Sequence, residues 1–359
     1  MILNPFLGGL LEALRPQQLT LALPESQDPR VLVACQKLLT MGAAGRVLLW
    51  GDWERILSLA QQEGVELDPF KGRIDLVNPN DVALEERLRV LFKARQIARG
   101  KAASPEELSA FALSPLNQAG VLLHEGACDA VVAGSSATTA EVIRAGLTTL
   151  GLSHEKVTVC GAFVMHRRDP HTGAEVLYLF GDSGVVIEPT EAQLVDIGAL
   201  LVESFAILSP EVEPRVAFLS FSTRGSAKHP RQQRMAAAAS AFLSRYPHVK
   251  ADGELQFDAA IVPAVSQRKC PDSRVEGRAN CFVFPDLDSG NIAYKIAQRL
   301  GGFAAYGPLL LGLAKPFSDL SRGATAEDIF AVALLSLARA ERGRTSQRMG
   351  SILRKNSIE

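Results

Sequence analysis

The chain has 359 residues, 47% of them hydrophobic and 21% charged, with 38 Lys and Arg against 39 Asp and Glu. That length suits two domains of ordinary size or one large α/β domain, with core enough to stand without a disulfide or a metal. The mixed apolar composition excludes disorder, collagen and coiled coil, and a net charge of -1 excludes the basic excess of a dedicated nucleic-acid binder.

In chain order, MILNPFLGGLLEAL reads as a surface helix or arm, because it lacks the basic region and small-residue cleavage site of a signal peptide. An amphipathic tag for a shell compartment is the other reading. LTLALP (19–24) is a predicted strand, and Val31, Ala34, Cys35, Leu38 and Leu39 mark the helix after it. RVLLWG (46–51) is the next strand and Trp53–Glu63 the next helix. RIDLVNP (73–79) is a third strand, followed by a long helix from about Asp81 to Gly100. DAVVAG (129–134) is a strand that feeds a helix starting near Thr138. This β-α-β-α order predicts a mainly parallel sheet covered by helices.

The middle changes character. Residues 156–169 and 175–182 read as a hairpin around the turn Pro170–Gly173. RVAFLSFS (215–222) is a strand before a Gly/Ser loop and an Ala-rich helix. FDAAIVPAV (257–265) and ANCFVFP (279–285) read as further strands. An apolar run at 305–317 leads to a final helix from Thr325 to about Arg342. The tail after Gly343, with Arg344, Arg348, Arg354 and Lys355, reads as a solvated end. A domain boundary falls near 150 and a return crossing near Gly301–Gly307. The expected domains are therefore 1–150 plus 307–359, and 151–306.

Cys35, Cys128, Cys160, Cys270 and Cys281 include no C-x-x-C pair, which fits reduced, buried thiols of a cytoplasmic protein. With no H-E-x-x-H motif or His/Cys cluster, no protein-bound metal is expected. The uncharged apolar stretch Leu300 to Ala314 is broken by four glycines and a proline. It falls short of the roughly 20 apolar residues of a membrane span, so neither membrane nor nucleic acid is an expected partner.

Four loops sit where open α/β sheets bind ligands, at the carboxyl ends of strands and the starts of helices. AGSSATTAEVIR (133–144) offers Thr138, Thr139 and Arg144, or simply an N-cap. SFSTRGSAKHPR (220–231) offers Ser222, Gly225 and Ser226 beside Arg224 and Lys228 as a phosphate nest. In FPDLDSGNIAYKIAQRL (284–300), 288–291 reads as a turn before a helix. The predicted apolar face of that helix is Ile292, Ala293, Ile296, Ala297 and Leu300. Asn291, Lys295 and Arg299 are its candidate ligands, unless the two cations only snorkel to water. KPFSDLSRGATAEDIF (315–330) offers Ser321, Arg322 and Asp328, against a Thr-x-x-Asp cap as the plainer reading. No nucleophile elbow, Walker A loop or G-x-G-x-x-G follows a strand.

The stretches 252–260, 269–300, 306–323 and 327–329 together resemble the phosphate acetyltransferase family, which also includes butyryl-transferring members. The resemblance continues through LALPESQDPRV (21–31), DAVVAGSSATTAEVIRAGL (129–147) and PRVAFLSFSTRGSA (214–227). It implies an α/β fold of two domains with largely parallel sheets and an active-site cleft between them. It also implies a homodimer that interconverts acetyl-CoA plus phosphate with acetyl phosphate plus CoA. Coenzyme A is then a substrate, and no tightly bound cofactor is expected. The family's catalytic residues fall on Ser321, Arg322, Asp328 and Arg299, its helix arginine on Arg144, and a coenzyme A arginine on Arg95. Departures at Ser26, Glu141 and Ala145 remove no catalytic group. Those at Leu311 and Cys160 bear on acyl-chain preference, so propionyl or butyryl transfer is an alternative. A silent homologue acting as a binding module is another, and a two-domain dehydrogenase lacks a recognisable nicotinamide site.

For such a reaction, direct attack of the coenzyme A thiol on acetyl phosphate is expected. An ordinary aspartate (~3.9) and thiol (~8.5) lie far enough apart to make full proton transfer roughly 6 kcal/mol uphill. Stabilisation of developing charge by Arg299 and Arg322 is therefore the expected main effect, with Asp328 as base and Ser321 as donor.

Overall fold

A computed structural model describes residues 3–345 apart from position 171. Helix α1 (Pro5–Leu14) is capped by Asn4, which accepts from Leu7 N, and buries Leu7, Leu11 and Leu14. The opening segment thus packs as a surface helix. Strand β1 (Thr20–Leu23) leads to α2 (Pro29–Met41), β2 (Arg46–Trp50), α3 (Trp53–Gln62), β3 (Ile74–Val77) and α4 (Val82–Ala98). Two short helices that periodicity does not announce, α5 (Pro105–Ala112) and α6 (Pro115–Glu125), precede β4 (Ala130–Val132) and α7 (Thr139–Thr149). Both have proline in the first turn, where the missing N–H costs no helix bond.

The hairpin of β5 (Cys160–Arg168) and β6 (Glu175–Gly181) follows, then α8 (Glu191–Leu208), β7 (Arg215–Leu219), α9 (Pro230–Arg245) and β8 (Lys250–Leu255). Residues 257–265, expected as a strand, instead form α10 (Phe257–Ile261) and the start of α11 (Pro263–Lys269). A short apolar run fits either state, and Pro263 at the start of α11 resolves it against a strand ladder. Strand β9 (Cys281–Val283), α12 (Leu287–Arg299) and β10 (Ala304–Leu311) come next, then β11 (Phe317–Ser318) and α13 (Ala326–Thr345). The apolar run at 305–317 is therefore two strands separated by the turn at Gly312. The basic tail beyond Thr345 lies outside the described residues.

Contacts divide the chain into two units, one built from residues up to His154 with Leu313–Glu341, the other from Glu155–Gly312. The first unit holds a sheet in the order β11-β4-β1-β2-β3, parallel throughout. Its central strands are near-continuous apolar runs buried on both faces, as in the Leu21–Leu23 stretch of β1. A satellite core of Leu84, Leu88, Phe111, Ala112 and Val121 joins α4, α5 and α6.

The second unit holds a mixed sheet in the order β10-β5-β6-β9-β7-β8. Strands β6, β9, β7 and β8 run parallel, whereas β5 is antiparallel to both β6 and β10. Leu311 and Cys160 are register partners across β10 and β5, and both are wholly buried. These two departures from the family pattern are core neighbours, so neither carries an argument about acyl-chain length. No helix among the described residues is long and apolar enough to cross a membrane.

Candidate active site

Strands β11, β4 and β1 lie side by side and parallel, so the loops after them leave one edge of the sheet. In the loop after β4, the N–H groups of Gly134, Ser135, Ser136 and Ala137 all point at one acceptor. That acceptor is the Glu25 carboxylate, from the loop after β1. Oε2 takes Gly134 N at 2.6 Å and Ser135 N at 2.7 Å; Oε1 takes Ser136 N at 3.0 Å and Ala137 N at 2.7 Å. The Ser135 and Ser136 hydroxyls add two more bonds. Burial pushes the Glu25 carboxyl up, but the hydrogen bonds to 135–137 outweigh it and hold the group below the usual carboxylate range. A nest that could cradle phosphate is filled by the protein's own carboxylate.

Gly134 permits this crowding. Its φ is +100°, and a Cβ there would overlap the Asp319 carboxylate and sit 2.8 Å from Leu320 N. Asp319, in the loop after β11, is wholly buried. Its Oδ2 accepts the Thr139 hydroxyl at 2.7 Å, and burial pushes its carboxyl up to about 7.

Two residues later comes the exposed turn Ser321–Arg322–Gly323. Ser321 Oγ accepts Gly323 N at 3.3 Å, and Ser321 O accepts Ala324 N at 2.8 Å, which closes the turn. Asp328 serves the cap of α13: its Oδ2 accepts Thr325 N and the Thr325 hydroxyl, each at 2.8 Å, and Thr325 Oγ1 accepts Asp328 N at 3.2 Å. The plainer cap reading therefore holds for Oδ2, while Oδ1 takes no hydrogen bond from the described residues.

Thr138 caps α7 in a reciprocal box with Glu141. The Thr138 bonds, and then the nearby Arg144 and Arg322 guanidiniums, hold the Glu141 carboxyl below its usual range. Arg144 and Arg322 thus both lie within electrostatic reach of Glu141, and both are exposed. Arg95, on α4, lies against Gly151, at about van der Waals range from where a Cβ would stand.

The second unit repeats the internal plug. In the loop after β7, Glu254 Oε1 accepts the Ser222 hydroxyl at 2.9 Å and Gly225 N at 2.7 Å, and Arg224 pairs with Asp252 at 2.8 Å. Ser222 is wholly buried, and its Oγ also lies 3.2 Å from Ser226 Oγ. Ser222 and the Gly225 N–H hold this loop together, whereas the Ser226 residue is exposed.

On α12 two expectations change. The 288–291 segment is helix, not turn, because Asp286 caps it by accepting Ser289 N at 2.9 Å and the Ser289 hydroxyl at 2.6 Å. Gly290 is a packing glycine, since a Cβ would overlap Asp182 O. The apolar face also turns out differently. Ala293, Tyr294 and Ala297 pack on the core, with Tyr294 stacked on Phe163 at 3.8 Å, while Ile292, Ile296 and Leu300 are 56%, 53% and 84% exposed. Lys295 and Arg299 share that exposed face. Lys295 Nζ donates to Asn291 Oδ1 at 2.7 Å, Asn291 Nδ2 donates to Ser183 O at 3.2 Å, and Arg299 lies within electrostatic reach of Tyr294.

Among the described residues no three His, Cys, Asp or Glu side chains converge as metal ligands. Glu25, Asp28, Arg30 and Asp319, which tie these strand-end loops together, carry no motif that announces them. The signal available for the first three was a run of charges, ESQDPR, placed directly after an apolar strand.

The profile of the Phosphate acetyl/butaryl transferase family matches residues 6–337. The chain belongs to that family. The phosphate acetyltransferase of Paracoccus denitrificans is 40% identical over 323 residues, 90% of this chain and 95% of that protein. That of Bacillus subtilis is 36% identical over 330 residues, 92% and 97% of the two chains. A phosphotransacetylase structure from Streptococcus pyogenes superposes with a TM-score of 0.85 at 35% identity, over 95% of this chain and all of that one. A branched-chain phosphotransacylase from Enterococcus faecalis, at 17% identity and a TM-score of 0.63, shares the fold. In this family member, the exposed S-R-G turn and Arg144 stand at the strand-end edge where parallel sheets bind ligands.

Proposed function

We propose that this protein catalyses reversible acetyl transfer between coenzyme A and inorganic phosphate, by direct attack of the thiol on acetyl phosphate. The new C–S bond forms as the C–O bond to phosphate breaks, and the thiol proton passes to a base. The observation that carries this reading is the exposed Ser321–Arg322 turn, whose arginine shares with Arg144 electrostatic reach of Glu141, in a chain 36–40% identical to two phosphate acetyltransferases. Both substrates are anionic, and the chain's net charge is only -1. Local guanidiniums must therefore neutralise them, and guanidinium matches phosphate bidentately.

Arg322 and Arg299 hold the phosphate and the carbonyl oxygen in this reading. Ser321 donates to the reacting centre, and Asp328 takes the thiol proton on Oδ1. Arg144, Thr138, Thr139, Arg95, Asn291, Lys295 and Ser226 supply the remaining contacts to coenzyme A and phosphate. Ser222 and Gly225 are kept for loop structure. The working form is a homodimer in the cytoplasm, and coenzyme A comes and goes as a substrate.

The test is thioester formation from coenzyme A with acetyl, propionyl and butyryl phosphate in parallel. Acetyl phosphate should give the highest kcat/KM. A preference for butyryl phosphate would move the protein to the longer-chain reaction, and no thioester with any donor would leave a binding module.

A further inference from the structure

Arg30 stands in the first turn of α2, directly after the loop that carries Glu25. A guanidinium has five N–H donors, and every one of them is engaged here. Nε donates to Asp28 Oδ1 at 3.0 Å. Nη2 donates to Asp28 Oδ2 at 2.6 Å and to Ser135 O at 2.8 Å. Nη1 donates to Arg322 O at 2.9 Å and to Ala324 O at 2.7 Å. One side chain thus joins three loops at one sheet edge: its own, the 134–137 loop that Glu25 fastens, and the S-R-G turn.

We propose that Arg30 is a positioning residue, which fixes the backbone of the 322–324 turn and so aims the Ser321 hydroxyl and the Arg322 guanidinium at the substrates. This rests on the function proposed above. The acceptors decide between positioning and ligand binding. Arg30 faces one carboxylate and three carbonyl oxygens, and no N–H is left for a phosphate. Arg322, by contrast, leaves its exposed guanidinium free of hydrogen bonds to the described residues. Asp28 makes the arrangement rigid, because its bidentate hold on Nε and Nη2 fixes the plane of the guanidinium and thereby the direction of Nη1. A lysine has the charge but neither the fork nor the five donors, so it cannot replace the clamp.

The test compares the intact protein with Arg30→Lys and Arg30→Ala in two readouts. In acetyl transfer, both variants should lose about a hundredfold in kcat, the scale of a 1 Å misplacement, with KM for coenzyme A and acetyl phosphate little changed. In amide hydrogen exchange read by mass spectrometry, the peptide covering 319–326 should exchange faster, while peptides from β2 and β3 do not change. If Arg30→Ala does not fold, Arg30→Lys carries both readouts. A lysine variant with full kcat, a rise confined to KM for coenzyme A, or unchanged exchange at 319–326 would overturn the assignment. A wild-type protein without acyl transfer would defeat the proposed function instead, and the exchange readout would still test the clamp.

Discussion

The Thr139 hydroxyl donates to Asp319 Oδ2 at 2.7 Å, and the other oxygen, Oδ1, is buried and takes no hydrogen bond from the described residues. Burial, and then the charge on Glu25, push the Asp319 carboxyl up to about 7 against the bonds from Thr139 and Leu320. In the unfolded chain the same group ionises near ~3.9. Between those values the native state keeps a proton that the unfolded state has lost, so this group's stabilising contribution falls as pH rises from about 4 to 7. Its full loss is on the order of 4 kcal/mol. Asp319→Asn carries no such proton. Urea unfolding at pH 5 and pH 8 should therefore show the variant gaining on the wild type at the higher pH. Parallel pH profiles would mean that Asp319 is ionised in the native protein.

Glu25 has the opposite sign. Burial raises its carboxyl, but the hydrogen bonds at 135–137 lower it further, so the native state favours the ionised form. Its contribution is present above the usual carboxylate range and is lost as pH falls through the lowered native value. Glu25→Gln places an amide NH2 against a row of N–H donors. At least one of the four N–H groups from Gly134 to Ala137 then loses its acceptor. A cost of about 2–4 kcal/mol is expected, read as a fall in the urea midpoint at pH 7. The acid limb of the variant's profile should be shallower than that of the wild type. A variant as stable as the parent would show that the nest does not depend on the anion.

Much of the first unit was readable because β1, β2 and β4 are apolar runs and α2 keeps its stripe. α8 escapes such a reading for a physical reason. It buries residues all round, from Leu194 and Asp196 to Phe205 and Leu208, so no stripe exists. β8 was hidden by Asp252 and Glu254, which read as solvent-facing and are in fact buried. The same effect concealed half of the site. Exposed cations such as Arg144 and Arg322 can be picked out by residue type. The partners of Glu25 are backbone N–H groups, and those have no letter in a sequence. The face of α12 is not legible from hydropathy, because Ile292 and Ile296 are more apolar than Ala293 and Ala297, yet only the alanines of these four lie close to the core.

If neutralisation of developing charge is the main effect, substitutions should rank by charge removed. Arg322→Ala and Arg299→Ala should each lower kcat by about 10²–10³. Ser321→Ala should be intermediate. Asp328→Asn should lose least, and should stay folded, since its amide oxygen can still accept Thr325 N at the head of α13. Steady-state kinetics with saturating acetyl phosphate and coenzyme A measure all four. A dominant Asp328 effect would make proton removal the harder step.

Direct transfer also requires that no side chain carry the acetyl group between substrates. All five cysteines are buried. Burial pushes the Cys35 and Cys128 thiols up to about 12 and Cys281 well above its ordinary value. Thiolate is the nucleophile, so such thiols are poor acyl acceptors near neutral pH. The native protein should react with a thiol reagent such as DTNB far more slowly than the urea-unfolded chain, which should titrate all five. Enzyme quenched in acid during turnover should yield no acetylated cysteine peptide by mass spectrometry. One such peptide, formed and consumed at the rate of turnover, would replace the direct route by a two-step exchange. The buried thiol in that peptide would then have to become exposed in every cycle, which faster DTNB labelling in the presence of acetyl phosphate would detect.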